Sequence, residues 1–349
     1  MTKKSLWQLL LRRHRVWLIL IAVFFIFFGV LQGASTVSVF NSESTHPYTE
    51  KEYDKHVWPY LPKSQRNQTY QQYNDKMRTQ TFGAANHTQT SQSQPFFNFF
   101  AFLVMIVLGC IATFWDQLSG FNRLLFSSGA RRRDILWTKS LLYLAVSIPA
   151  YFVSIGVSLA IIGSNIPHEF LVFHWPSILI NMPAFLLQLI AGFAAGSLFG
   201  IVIGQTLPLV LTVAFLGLSV TQIISQVVNR LDVQASFWQI LGLVSVNYVI
   251  WFGCIVVFAG LSFYFYSRLS LESSHHYLLF PQLRWPVLIA FTIYIPFFFQ
   301  DWLFTGHQVI SMAITAIIVF AFFYWYLFRP RRFMKRLSRP ANHSQTPAP

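Results

Sequence analysis

Seven charged side chains lie in the segment from Asp116 to Lys139, which separates two apolar stretches. It includes a second acid, Asp134, and four arginines, three of which are consecutive, Arg131–Arg133. Serine, glycine and alanine separate this basic run from an apolar ridge, Leu124-Leu125-Phe126. Arg131–Arg133 by themselves satisfy the rule that cationic loops stay in the cytoplasm. The simplest interpretation of these residues alone is therefore a loop that fixes topology.

Patterns typical of catalysis are missing from the sequence. It has no Gly-x-x-x-x-Gly-Lys-Ser/Thr phosphate loop and no Gly-x-Ser-x-Gly nucleophile turn. The adjacent His275 and His276 are expected in a solvated loop, and Cys110 and Cys254 fall in apolar stretches. Neither pair therefore predicts a metal site or a disulfide. We expect no catalytic residue, no metal and no cofactor bound by this chain, and we do not expect it to be an enzyme.

The composition identifies the class of protein. Hydrophobic residues make up 54% of the 349 residues and charged residues only 10%, compared with about 25% charged residues in an average soluble domain. A net charge of +14 would suit a nucleic-acid partner, but so few charges cannot cover the surface of a soluble protein of this size. The sequence therefore predicts an integral membrane protein with no nucleic-acid partner.

Several apolar stretches approach the roughly 20 residues that a helix needs to cross a bilayer. The candidates are Val16–Ser35, Phe96–Trp115, Ser140–Gly163, Ser177–Gly204, Leu207–Val228, Ile240–Tyr266, Trp285–Trp302 and Gln308–Phe328. The sequence thus predicts an all-α polytopic membrane protein with about eight transmembrane helices, in which a C-terminal pair follows a six-helix core. The seventh stretch contains Pro286 and Pro296, so a re-entrant hairpin with the eighth is the alternative there.

Charge indicates how the spans are oriented. With the N-terminus inside, 18 of the 25 Lys and Arg residues fall in cytoplasmic segments, as the positive-inside rule expects. Eight of the 11 acids fall outside, so the net charge is +15 inside and −1 outside. Both termini are therefore predicted to be cytoplasmic. No acid lies in the middle of a span, which argues against proton or sodium coupling.

This topology divides the chain into six segments. They are a cytoplasmic amphipathic lead-in (1–15), the first span (16–40), an extracellular segment (41–95), spans two to six with the loop 116–139 (96–268), a C-terminal pair of spans (269–328) and a basic cytoplasmic tail (329–349). The lead-in is expected to lie in the headgroup plane as a topology anchor, with contact to a cytoplasmic partner as the alternative. The extracellular segment is polar and contains enough tyrosines to pack a small cap.

Glycines recur at intervals of four residues in the fourth predicted span. These are Gly192, Gly196, Gly200 and Gly204, and the first span repeats the spacing with Gly29 and Gly33. Such a stripe has no side chains, so another helix can approach it closely. We predict packing between helices of the same chain, with a dimer interface or a sliding interface as alternatives.

The segment 116–139 resembles the cytoplasmic coupling loop of the second-type ABC exporter permeases, the membrane subunits of drug, antibiotic, bacteriocin and polysaccharide exporters. In that family an acid ends the second span, and a glycine, a run of leucines, a serine or proline turn, an arginine, an acid–isoleucine pair and a lysine follow. The matching residues are Asp116, Gly120, Leu124, Leu125, Ser127, Arg131 or Arg132, Asp134, Ile135 and Lys139. Ser128-Gly129-Ala130 replaces the usual proline turn. The similarity extends loosely over residues 1–268 and leaves the last two spans unaccounted for.

The resemblance implies a function. Family members work as homodimers or heterodimers in the bilayer, and each subunit docks on a separate ABC ATPase subunit that uses the ATP. The contact is expected at Leu124, Leu125, Phe126, Arg131, Arg132, Arg133 and Asp134. The expected protein is a multi-pass permease of a bacterial plasma membrane that exports a hydrophobic or amphipathic substrate, such as an antimicrobial peptide or a drug. The alternative is a non-transporting immunity or sensor protein that recognises peptides through residues 41–95.

Overall fold

The computed structural model describes residues 3–44, 69–70, 72, 99–167, 175–215, 217, 244–269, 277–303 and 308–328. Within these ranges the regular elements are helices, apart from one isolated β-bridge between Ile203 and Leu278. The α-helices are α1 (Lys3–Ser44), α2 (Phe99–Leu118), α3 (Phe121–Ser127), α4 (Arg132–Asn165), α5 (Trp175–Val202), α6 (Thr206–Phe215), α7 (Val244–Ser267), α8 (Arg284–Leu303) and α9 (Gln308–Phe328).

Seven of these helices are long and apolar enough to cross a membrane: α1, α2, α4, α5, α7, α8 and α9. The all-α class is confirmed for the described residues, and they are consistent with a polytopic membrane protein. The predicted fifth span, Leu207–Val228, is described by α6 and Gly217 only. The predicted tail, 329–349, and most of the extracellular segment lie outside the described residues. The seventh predicted span is a continuous helix of 20 residues that contains Pro296.

The structure differs from the predicted in-plane lead-in. Helix α1 is a single helix of 42 residues, about 63 Å long at 1.5 Å per residue, whereas the hydrocarbon core of a bilayer is about 30 Å thick. No proline interrupts it, so the hydrogen-bond ladder continues from the span into residues 3–15. On this extension Leu6, Leu10 and His14 are buried. The lead-in therefore packs against the protein along the same axis as the span.

The chain forms two compact units. The first comprises Met1–Ile201 and Ala235–Leu269, and the second comprises Val202–Gln234 and Ser270–Pro349. The first unit therefore contains α1 to α4, α7 and nearly all of α5. In the second unit α6 is grouped with α8 and α9.

Glycines allow α1 and α4 to approach closely in the first unit. A Cβ atom at Gly29 would overlap the backbone of Ser154, and one at Gly33 would come within 3.1 Å of the Ser158 carbonyl oxygen. Further along, Phe40 joins a buried cluster with Ile162 and Ile166. Residue numbers rise together along both helices, so α1 and α4 are parallel. Packing of this kind matches a stripe of small residues in a membrane helix.

The stripe in α5 lies against α2. A Cβ atom at Gly192, Gly196 or Gly200 would meet Phe102, Ile106 and Thr113, respectively. The contact is reciprocal, because a Cβ atom at Gly109 of α2 would lie 2.6 Å from the Ser197 nitrogen. Thr113 also donates its hydroxyl to the Ser197 carbonyl at 3.3 Å. Three glycines of the stripe thus pack within the chain.

The fourth glycine, Gly204, has a different place, in the turn between α5 and α6 in the second unit. Its N–H donates to the Tyr277 carbonyl at 2.9 Å, and the Leu279 N–H donates to the Val202 carbonyl at 3.0 Å. Tyr326 of α9 donates its hydroxyl to Gln205 at 3.4 Å. This segment, Tyr277–Phe280, therefore joins the α5–α6 turn to the hairpin of α8 and α9.

Helix directions in the first unit agree with alternating membrane crossings. His14 meets Asp116 while Phe28 stacks on Phe100, so α1 and α2 are antiparallel. Helix α7 runs parallel to α2, because Trp251 contacts Phe102 and the final turn of α7 contacts α3. We call the end marked by His14, Asp116 and the arginines 131–133 the basic end. Helix α5 ends there, and α7 begins at the opposite end.

Alanine at Gly196 is expected to destabilise the protein by about 1–3 kcal/mol, because the new Cβ would overlap the Ile106 carbonyl group. Gly156→Ala is the matched control on α4, since nothing lies within 4 Å of a Cβ atom there. Alanine at that position should be neutral or stabilise by up to about 1 kcal/mol. The midpoint of thermal unfolding in detergent measures both effects, and equal losses in the two variants would contradict the described α2–α5 contact.

Candidate functional site

Two glycine turns set the position of α3 at the basic end. Gly120, before α3, and Gly129, after it, have φ values of 70° and 74°, which glycine adopts readily and other residues rarely do. Ser127 and Ser128 donate their hydroxyls to the Leu124 and Leu125 carbonyls, at 3.0 and 2.7 Å. The Ser128 N–H also donates to both carbonyls, at 3.2 and 3.3 Å. Hydroxyl and backbone bonds of Ser128 therefore close the end of α3 in a turn that contains no proline.

A fully buried ion pair lies directly behind α3. The Lys139 Nζ atom of α4 is 2.6 Å from the Asp116 Oδ2 atom of α2, and neither side chain is exposed to solvent. The imidazole of His14, on α1, is also fully buried, with Nε2 at 3.0 Å from the same carboxylate oxygen. Three helices therefore meet at one carboxylate group.

The hydrogen-bond geometry suits one tautomer of His14. The Tyr143 hydroxyl lies 2.9 Å from His14 Nδ1, while Nε2 faces Asp116. With the proton on Nε2, the ring donates to the carboxylate and accepts from the tyrosine, so both nitrogens are satisfied. We assign this tautomer from the partners.

Asn122 connects α3 to the ion pair. Its Oδ1 atom accepts from Lys139 Nζ at 3.1 Å and from the Tyr266 hydroxyl of α7 at 3.3 Å. Asn122 and Tyr266 are both almost completely buried. The group His14, Asp116, Asn122, Lys139, Tyr143 and Tyr266, called the buried cluster below, therefore joins α1, α2, α3, α4 and α7.

Arg13 adds a weaker contact at the edge of the buried cluster. Its Nε atom is 3.9 Å from Asp116 Oδ1, and its guanidinium lies 5.2 Å from the centre of the Phe121 ring. Because 38% of the Arg13 side chain is exposed, water screens this pair and its contribution to stability is small. The buried partners of Asp116 are therefore Lys139 and His14.

The buried cluster fixes a geometry more than it stabilises the fold. Removing an ion from water costs several kcal/mol, and a buried pair often only offsets that cost. Once formed, however, such a pair strongly disfavours any arrangement that leaves one charge unpaired in the interior. The cluster therefore holds α3 in a defined position on the ends of four long helices.

The structure separates the seven predicted coupling residues into two groups. Leu124 is 55% exposed, and Arg131 and Arg133 are also exposed. Leu125 is completely buried, and Phe126 packs edge-on against Tyr266 with ring centres 5.7 Å apart.

The remaining two predicted residues are less accessible. The Arg132 guanidinium donates to the Ser267 and Leu269 carbonyls, and Asp134 is half-buried. Leu124, Arg131 and Arg133 are therefore the predicted coupling residues that are free to meet a partner, and we call them the exposed coupling surface.

Sequence reasoning missed His14, Asn122, Tyr143 and Tyr266 as members of the site. A signal for His14 was present, because it follows Leu6 and Leu10 at intervals of four on a helix and so shares their face. Tyr143 follows Lys139 at the same interval. Nothing local indicated Tyr266, which is 144 residues away from Asn122.

Charge removal at the ion pair should show strong coupling between Asp116 and Lys139. We expect Asp116→Leu and Lys139→Met each to destabilise the protein by about 3–5 kcal/mol, because the remaining charge is buried and has lost its main partner. The double variant should be more stable than either single variant. Unfolding midpoints in detergent give the double-mutant cycle.

Arg133→Met serves as the control for loss of a cation at this end, since that side chain is exposed. It should change stability by no more than about 0.5 kcal/mol. A double variant whose loss equals the sum of the two single losses would show that Asp116 and Lys139 are not paired.

Within the described ranges no three His, Cys, Asp or Glu side chains are grouped so that they can hold a metal ion. Residues 41–95, on which the sensor alternative depends, are described only at 41–44, 69–70 and 72. Comparisons with family models, with curated proteins and with solved structures found no match to this chain.

Proposed function

We propose that this chain is the membrane-spanning permease subunit of an ATP-driven ABC exporter, and that α3 docks on a separate ATPase subunit. The observation that carries the proposal is the position of α3. One of its faces is held by the buried cluster, while Leu124 and the neighbouring Arg131 and Arg133 are exposed. An element of this kind can receive force from a partner and pass it to several helices at once.

A loop that only fixes the topology would not need to be held by a buried cluster. The positive-inside rule requires only cationic side chains near the ends of the spans. Here the loop also contributes Asn122 to a buried ion pair whose desolvation costs several kcal/mol per ion. That cost supports a role in which the position of α3 matters.

The proposal assigns a place to each partner. The basic end faces the cytoplasm of a bacterium, where the positive-inside rule puts it and where ATP is available. The exposed arginines fit an ATPase groove with acidic and apolar residues. A second permease subunit, identical or different, completes the transport path in the plasma membrane, and a hydrophobic or amphipathic molecule is the substrate.

Charge reversal on the exposed coupling surface tests the docking. We expect Arg131→Glu combined with Arg133→Glu to lower co-purification of the ATPase subunit at least tenfold, because both side chains are exposed and reversed charges repel an acidic groove. Amounts of ATPase per permease are measured by mass spectrometry after purification in mild detergent.

The matched control is Arg131→Lys combined with Arg133→Lys, which keeps the charge and should retain most of the binding. Unfolding midpoints should be equal in both double variants, since neither arginine has a buried partner among the described contacts. Full ATPase recovery with the glutamate variant, or no ABC ATPase with the unmodified chain, would contradict the proposal.

A further inference from the structure

Arg132 connects three helices at the basic end. Its guanidinium lies 4.5 Å from the centre of the Phe126 ring of α3. The Nη1 atom donates at 3.0 Å to two carbonyls at the end of α7, those of Ser267 and Leu269. Arg132 itself is the first residue of α4. One side chain therefore joins the α3–α4 junction to the end of α7.

The contacts at this position suit the guanidinium group of arginine better than the ammonium group of lysine. The last carbonyls of a helix are unsatisfied and carry the negative end of the helix dipole, so a cation is favourable there. A planar guanidinium can stack on Phe126 and donate to carbonyls at the same time, whereas a lysine ammonium is a compact charge without a stacking face. We therefore do not expect lysine to replace Arg132 fully.

Helix α7 is the least buried helix of the first unit. In the most apolar stretch of α7 only 11% of the residues are buried, compared with 67% in that of α5. Near its beginning it contacts α2 through Trp251 and Phe102, and its last turn is attached to α3 through Tyr266. A helix with few buried contacts along its length is easier to displace than one in the core.

We infer that Arg132 is a positioning residue that makes the end of α7 move together with α3. This inference rests on the proposed function, in which the ATPase displaces α3 when nucleotide binds. Movement of α3 then draws the Ser267 end of α7 along, while the opposite end remains against α2. The sixth predicted span is thereby the helix that responds to the displacement of α3.

The attachment also explains why Arg132 differs from its neighbours. Arg131 and Arg133 are exposed and available to the ATPase, whereas Arg132 is turned inward and already bonded. Loss of Arg132 should therefore leave docking intact and weaken the transfer of movement from α3 to α7, because the contacts of Tyr266 with Asn122 and Phe126 remain. The two kinds of arginine can be distinguished by separate measurements on one complex.

A nitroxide label at Leu261→Cys reports the movement of α7. Leu261 is exposed and lies less than two turns before Ser267. Cys254 is replaced by alanine, and Cys110 is buried. The variants are Arg132→Met, Arg132→Lys and, as a matched control, Arg133→Met. The label spectrum is recorded for the purified chain and for its complex with the ATPase, with and without ATP and vanadate.

In the purified chain, Arg132→Met should increase the mobility of the label at least twofold, with a smaller increase for Arg132→Lys and none for Arg133→Met. In the complex, Arg132→Met should bind the ATPase normally but lose at least half of the spectral response to nucleotide. A response equal to that of the unmodified complex would overturn the inference.

The two measurements distinguish this inference from the proposed function. If no ABC ATPase co-purifies with the unmodified chain, the proposed function is wrong, and so is the idea that nucleotide binding displaces α3. The mobility of the label in the purified chain then still shows whether Arg132 holds the end of α7. Unchanged mobility in both Arg132 variants would reject that role. Unfolding midpoints within about 2 °C of the unmodified chain show that the variants are folded.

Discussion

A lysine and an aspartate without any exposure to solvent, 2.6 Å apart, determine the arrangement of the basic end. Leaving a buried charge without its partner is strongly unfavourable, because burial removes its hydration and apolar neighbours cannot replace that solvation. Asp116 belongs to α2 and Lys139 to α4, so these helices must meet at a fixed level. His14 adds α1, and Asn122 with Tyr266 adds α3 and α7. The position of the loop between α2 and α4 is a consequence of this requirement.

Glycine contacts set the spacing of two helix pairs in the same unit. Gly29 and Gly33 let α4 approach α1, and Gly196 lets α2 approach α5 until backbones touch. The pair of Asp116 and Lys139 then joins α2 to α4, and so connects the two helix pairs. Packing in the apolar part of the unit and ion pairing at its end are thus parts of one arrangement. In the proposed transporter, force applied at α3 reaches helices that are closely packed in pairs.

The sequence predicted the classes of element better than their contacts. Apolar length identified seven helices, because crossing a bilayer is a strong constraint on composition. The loop resemblance included both Asp116 and Lys139, but pairing across helices depends on tertiary packing, and His14 is 102 residues from its partner. The lead-in was expected in the headgroup plane because its apolar residues, Leu6, Trp7 and Leu9–Leu11, stand beside lysines and arginines. In the structure it continues the helix of the first span, since no proline ends it and Leu6 and Leu10 are buried. Gly204 does not belong to the packed glycine stripe, because α5 ends at Val202.

A photo-reactive amino acid at Leu124 can show whether α3 docks on an ABC ATPase, as proposed. Leu124 is 55% exposed on α3, and Ile317, 69% exposed on α9, is the control position facing away from its own helix hairpin. After irradiation of intact cells, we expect an adduct between the Leu124 variant and an ABC ATPase, and no such adduct from the Ile317 variant. Equal ATPase adducts at both positions, or a Leu124 variant that reacts with lipid alone, would contradict it.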